Sequence, residues 1–115
     1  MTLYYEMHVT IEFPGEEHIE NLKEIAKINS FHMGDLLLMK NEDERSHKDL
    51  FFTGRVAPSG YEPIDYVMAQ NLVEIATQTF CRVLYLSGYK VVRYKIEDTV
   101  CDSKIEDMLR IMSNG

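Results

Sequence analysis

Residues 4–13 alternate between apolar and polar side chains without a break, and this pattern constrains the fold more than any other part of the sequence. Alternation with a period of two over ten residues predicts a β-strand that is buried on one face only. Pro14-Gly15 follows directly and is expected to end the strand. The side chains expected to point inward are those of Tyr5, Met7, Val9, Ile11 and Phe13, and those expected to point outward are those of Tyr4, Glu6, His8, Thr10 and Glu12.

Helical spacing of apolar residues marks three other segments. It predicts a helix over residues 16–30 and a longer one from Pro63 to Gly88, in which proline suits the first turn and glycine the C-terminal cap. A capping-box pattern at Ser103 and Glu106 predicts a short C-terminal helix. The stripe of the long helix expected to face the core comprises Ile64, Val67, Met68, Leu72, Ile75, Ala76, Thr79, Val83 and Leu86.

Three further strands complete the pattern. They are predicted over residues 32–40, 50–56 and 89–97, and an exposed polar loop is expected at residues 41–49. The order of elements is then βαββαβ, which is typical of the ferredoxin-like α+β arrangement. In that arrangement both helices cover one face of a four-stranded antiparallel sheet, strands one and three are central, and strands two and four are at the edges. The alternative is a sheet of the same strands in another order.

Composition limits the class of protein. The chain has 115 residues, 45% of them apolar, and a formal net charge of −7. These values favour one soluble domain, over residues 1–102, followed by the short helix at residues 103–115. No apolar run is long enough for a membrane helix and no signal peptide is evident, so we expect a cytoplasmic protein with no membrane partner. The acidic balance argues against a broad nucleic-acid surface.

Several kinds of site have no support in the sequence. Cys81 and Cys101 are separated by 20 residues without a C-x-x-C motif, which is typical of two reduced thiols. The histidines have no metal-ligand spacing, and no glycine-rich phosphate loop is present. We therefore expect no metal and no cofactor.

The outward face of the sheet is the most informative part of the sequence. Beside Glu6, His8, Thr10 and Glu12 of the first strand, the same alternation places outward residues on the other strands: Arg93, Lys95 and Glu97 on the fourth, Phe51, Thr53 and Arg55 on the third, and Lys40 on the second. Arginine and lysine donate hydrogen bonds to phosphate oxygens, and histidine exchanges protons near neutral pH. The alternative is a solvated sheet face whose charges pair across strands.

One local motif adds to this expectation. His8-Val9-Thr10-Ile11 has the form His-x-Thr-hydrophobic on a strand, and it resembles one half of the signature of the two-histidine phosphoesterases. The resemblance implies that His8 serves as acid or base and that Thr10 orients an oxygen of a phosphodiester. No other histidine is followed by a hydroxyl residue two positions later, so the second half of the signature is missing.

Two classes of function follow from these features. In the first, the open sheet face binds a phosphate-bearing small molecule or nucleotide through Thr53, Arg55, Arg93, Lys95, Glu97 and Lys40. Phosphoester hydrolysis by His8 and Thr10 is an extension that the sequence leaves open, and with it whether the protein is an enzyme. In the second, the chain is a non-catalytic homo-oligomer or an adaptor for another protein. The features that favour this second class are the polar loop and the C-terminal apolar residues Ile105, Met108, Leu109 and Met112.

Overall fold

In a computed structural model, the chain is described over residues 2–34 and 49–99. The elements are β1 (Tyr4–Glu12), a 3-10 turn (Glu16–His18), α1 (Ile19–Ile28), β2 (His32–Met33), β3 (Asp49–Val56), α2 (Pro63–Leu86) and β4 (Val91–Thr99). Lys40, the polar loop up to residue 48 and the predicted C-terminal helix lie outside the described residues, as does most of the predicted second strand.

The strands form one antiparallel sheet in the order β2-β3-β1-β4. The α+β class, the four-stranded antiparallel sheet and the two helices are therefore confirmed. In this order β3 and β1 are the inner strands, and β2 and β4 are at the edges. In addition, β4 carries an irregularity in its pairing with β1 between Thr10 and Ile11, which shifts the register by one residue.

One apolar core lies between the sheet and the helices. The inward residues predicted for β1 are buried, except that Phe13, just beyond the strand, is only partly so. They form one cluster with Leu50 and Phe52 of β3 and with buried residues of both helices. Since Tyr5, Met7, Val9 and Ile11 share one side of β1, this cluster indicates that both helices pack against the same face. Among the described residues, no helix packs on the opposite face, which is the open face.

The structure corrects the predicted inward stripe of the long helix. The buried residues of α2 are Ala69, Val73, Thr77, Phe80 and Leu84. Most of the predicted stripe is exposed instead: Ile64, Val67, Met68, Leu72, Ile75 and Leu86. Both sets recur at helical spacing, so periodicity alone does not decide between them. The buried set includes Thr77, whose Oγ1 donates to the Val73 carbonyl at 2.8 Å and is thereby satisfied within the core.

Candidate functional site

The register of the sheet places the predicted site residues in rows across the open face. One row joins Thr53, His8 and Lys95, which belong to β3, β1 and β4 respectively. A second row joins Arg55, Glu6 and Glu97, and a third joins Phe51, Thr10 and Arg93. Neighbours in such rows have Cβ atoms about 5 Å apart. Of the predicted site residues, all but Lys40 are therefore brought together on one surface.

His8 lies at the centre of an ion-pair network on this face. Its Nε2 atom is 3.1 Å from Glu6 Oε1 and 3.3 Å from Glu97 Oε1. Arg55 Nε donates to Glu6 Oε2 at 2.9 Å, and Lys95 Nζ lies 3.5 Å from Glu97 Oε1. Each positive group faces a carboxylate, so the centre of the face offers an anion little net attraction. Exposed pairs of this kind contribute about 0–1 kcal/mol each to stability.

Thr10 and Arg93 lie in the next row and differ from this network. Thr10 is only 4% exposed although it lies on the open face. Its register neighbours on that face are Phe51 and Arg93, and we attribute its burial to these side chains. Arg93 is exposed and makes no ion pair with any residue in the described ranges. It is therefore a candidate cation for an anionic ligand.

A concave site lies beside the edge of the sheet formed by β2 and β3. We call it the edge cleft, and its lining residues are Lys27, Ser30, Phe31, His32, Thr53, Gly54 and Arg55. They include two cations, one histidine and two residues with hydroxyl groups, and none of those in the described ranges is a carboxylate. His32 reaches the site because it pairs in register with Thr53. Thr53 consequently has His8 on one side and His32 on the other.

Two backbone features shape the edge cleft. A Cβ atom at Gly54 would lie 3.0 Å from the Ser30 carbonyl oxygen and 2.6 Å from Met7 Cε, so glycine allows β3 to approach the turn that follows α1. Ser30 has φ = 66°, in the left-handed region that favours glycine. Phe31, the next residue, is anchored by its N–H donating to the Ala26 carbonyl at 2.8 Å and by stacking on Phe80 with a centroid distance of 4.2 Å. The core therefore holds the turn in a strained conformation.

The cations of the edge cleft differ in how they are held. Arg55 is oriented by Glu6 and by the ring of Tyr4, whose centroid is 4.7 Å from the guanidinium carbon. Lys27 and His32 form no ion pair with any residue in the two described ranges. Lys23, one turn earlier on α1, is instead paired with Glu20 at 3.7 Å. Lys27 and His32 are thus available to a ligand, whereas Lys23 is paired with Glu20 and does not line the edge cleft.

Sequence reasoning missed Lys27, Ser30 and His32 as site residues. Lys27 follows the pattern of any exposed helix lysine, and Ser30 has no signature for its positive φ. His32 was expected at the start of a strand, but only the pairing with β3 places it beside Thr53. Another histidine, His18, makes a structural contact and is not part of the site. Its Nδ1 lies 3.1 Å from the hydroxyl of the buried Tyr89, which also accepts a hydrogen bond from Asn21.

Other chemistries have little support in the described ranges. Within residues 2–34 and 49–99, no group of three or more histidine, cysteine, aspartate or glutamate side chains could hold a metal ion. Cys81 is a free thiol, and burial raises its pKa above the usual value, which disfavours the nucleophilic thiolate. Neither helix of the described chain is both long and apolar enough to cross a membrane.

No known protein family, no curated protein sequence and no solved structure matches this chain.

Proposed function

We propose that this protein binds a small phosphate-bearing ligand, such as a nucleotide, with its phosphate group in the edge cleft. The observation that carries the proposal is that none of the lining residues in the described ranges is a carboxylate, in a chain whose net charge is −7. Lys27 and Arg55 supply positive charge, His32 supplies a ring N–H donor, and Ser30 and Thr53 supply hydroxyl donors. Charge-assisted hydrogen bonds to phosphate oxygens are about twice as strong as those between neutral groups.

The rest of the ligand has a path along the open face. From Thr53 the row continues to His8 and Lys95, and the neighbouring row contains Arg93. We infer that these side chains contact the part of the ligand beyond the phosphate. The strand order, with β1 and β3 central, supports the ferredoxin-like arrangement as the scaffold for this site. The free thiol of Cys81 supports a cytoplasmic location.

The proposal is tested by titrating the full chain and measuring binding by calorimetry and NMR. The ligands are inorganic phosphate, pyrophosphate and adenosine monophosphate. We expect Lys27→Ala and His32→Ala each to weaken binding about tenfold, because each removes a charge-assisted hydrogen bond. Lys23→Ala is the matched control, since it removes the same charge from the same helix outside the cleft. Equal losses in Lys23→Ala and Lys27→Ala, or no binding at millimolar ligand, would refute the proposal.

Hydrolysis of a phosphoester is the extension of this function. Water would attack the phosphoryl group, the ester P–O bond would break, and the alcohol would leave with a proton. His8 is the proposed proton carrier because it lies beside Thr53 and its ring is oriented by Glu6 and Glu97. We expect His8→Ala to abolish turnover of a diaryl phosphodiester and to leave the affinity for inorganic phosphate within about twofold of that of the parent chain. Unchanged turnover would remove His8 from this role.

Ser30 provides a test in which stability and binding change in opposite directions. Ser30→Gly relieves the positive φ, so we expect the free energy of unfolding to rise by about 0.5–1 kcal/mol. The same change removes a hydroxyl from the edge cleft, so phosphate affinity should fall about threefold to tenfold. Denaturant unfolding and phosphate titration measure the two effects. A more stable variant with unchanged affinity would show that Ser30 does not contact the ligand.

A further inference from the structure

Helix α2 has an apolar face that the described part of the protein does not cover. Its inward residues are already packed on the sheet, but Ile64, Met68, Leu72 and Ile75 are 54–63% exposed. Spacings of four, four and three residues align them along one side of the helix, and we call this set the outer stripe. Monomeric proteins rarely leave apolar patches of this kind contiguous and exposed.

The outer stripe borders a groove as well as a helix surface. The groove lies between α2 and the end of β3, where it is lined by Val56, Ala57 and Ser59 as well as by Met68, Leu72 and Ile75 of the stripe. A partner that packs on α2 would therefore bury a concave surface that is mostly apolar and that also includes Asp65 and Asn71. The stripe runs along about 17 Å of this helix, which is about 36 Å long in all.

The distribution of charge along α2 points to a second copy of the same helix as the partner. The N-terminal end carries the acidic residues Glu62 and Asp65, and Arg82 lies near the C-terminal end. Between Asp65 and Arg82 the only charged residue is Glu74, which precedes Ile75 and is therefore turned about 100° away from it around the helix. Arg82 forms no ion pair with the residues that the structure describes.

These features are complementary when two copies of α2 run antiparallel. In the register that sets Asp65 of each helix beside Arg82 of the other, the helices meet near residues 73 and 74, so that Leu72 of one helix lies beside Ile75 of the other. The helix dipoles also oppose one another in this orientation. We propose that the protein forms a symmetric dimer through antiparallel pairing of the outer stripes of α2. This surface is separate from the edge cleft, so the inference does not depend on the proposed ligand.

The test is the mass of the full chain in solution, measured by sedimentation over a range of concentrations. We expect a reversible dimer whose dissociation constant rises about tenfold or more in Leu72→Asp and in Ile75→Asp. Because both residues are more than half exposed, these variants should keep the circular dichroism spectrum of the parent. Ile28→Asp is the control, since Ile28 is 80% exposed on α1 and outside the stripe, and it should leave the dimer unchanged.

Charge provides a second, independent measurement. Arg82→Glu places acidic groups at both ends of the pair, and we expect it to weaken the dimer most at low salt. A chain that is monomeric at every concentration would overturn the proposal. A dimer that survives Leu72→Asp and Ile75→Asp but is lost when residues 103–115 are deleted would also overturn it, because the interface would then belong to the C-terminal residues.

Discussion

Replacing Phe80 by alanine is expected to remove about 3–5 kcal/mol from the free energy of unfolding. Phe80 is fully buried on α2, stacks on Phe31 at 4.2 Å, and meets Phe52 of β3 edge-on at 5.2 Å. Its ring therefore joins the long helix, the central part of the sheet and the turn that precedes β2. Alanine would leave a cavity among these aromatic rings, and a domain of this size has only about 5–15 kcal/mol to lose.

Urea unfolding followed by circular dichroism measures this effect. Tyr85→Ala is the matched control, because it removes an aromatic ring from the same helix at a position that is 73% exposed. We expect that control to change the free energy of unfolding by no more than about 0.5 kcal/mol. If the two variants lose a similar amount of unfolding free energy, the assignment of Phe80 to the core and of the outer stripe of α2 to the surface is contradicted.

Gly54→Ala is expected to have the second largest effect, about 1–3 kcal/mol of destabilisation. The added Cβ would lie 2.6 Å from Met7 Cε and 3.0 Å from the Ser30 carbonyl oxygen, so both neighbours must move. The Met7 methyl is the end of a flexible side chain, whereas the Ser30 carbonyl belongs to the backbone of the edge cleft. We therefore expect the substitution to weaken phosphate binding as well as folding.

A double-mutant cycle with Met7→Leu separates the two clashes. Leucine lacks the terminal methyl of methionine, so the part of the loss that is caused by Met7 Cε should disappear in the double variant. The part caused by Ser30 should remain, along with the reduced phosphate affinity. If Gly54→Ala alone is as stable as the parent chain and binds phosphate equally well, β3 does not require glycine for its approach to Ser30.

The net charge of −7 does not describe the surface near the edge cleft. On the open face, Arg55 and Lys95 are matched by Glu6 and Glu97, which favours the interpretation of that area as an ordinary network of cross-strand ion pairs. Of the basic residues that line the edge cleft, Arg55 shares this pairing with Glu6, whereas Lys27 and His32 form no ion pair within the described ranges. Charge pairing therefore shifts the best candidate for an anion site from His8 toward the β2–β3 edge.

The alternation of residues 4–13 was sufficient to predict β1, its two faces and the place of His8 on the open side. That prediction succeeds because side chains of a strand alternate between faces regardless of what the strand pairs with. The four-stranded antiparallel sheet and the two helices could likewise be predicted from the order of periodic segments. The burial of Thr10 could not, because it depends on which side chains of β3 and β4 lie beside it.

For α2, periodicity identified a helix but not its buried side. Two apolar stripes share the helical period, and the sheet selects the one with Ala69, Val73 and Phe80. The other, the outer stripe, becomes a candidate interface only when the first is known to be occupied. A stripe of apolar residues indicates which side of a helix is shielded from water, but it does not indicate whether the sheet or a second chain packs on that side.

The sequence by itself determined the strand faces, the element order and the chemical types available on the open face, because these depend on local spacing. Only the tertiary structure decided which cations are neutralised and where a cleft forms. Lys27, Ser30 and His32 come from the end of α1 and the start of β2, and they meet Thr53 through pairing with β3. Contacts between residues distant in the chain follow from strand register and packing, which no local pattern encodes.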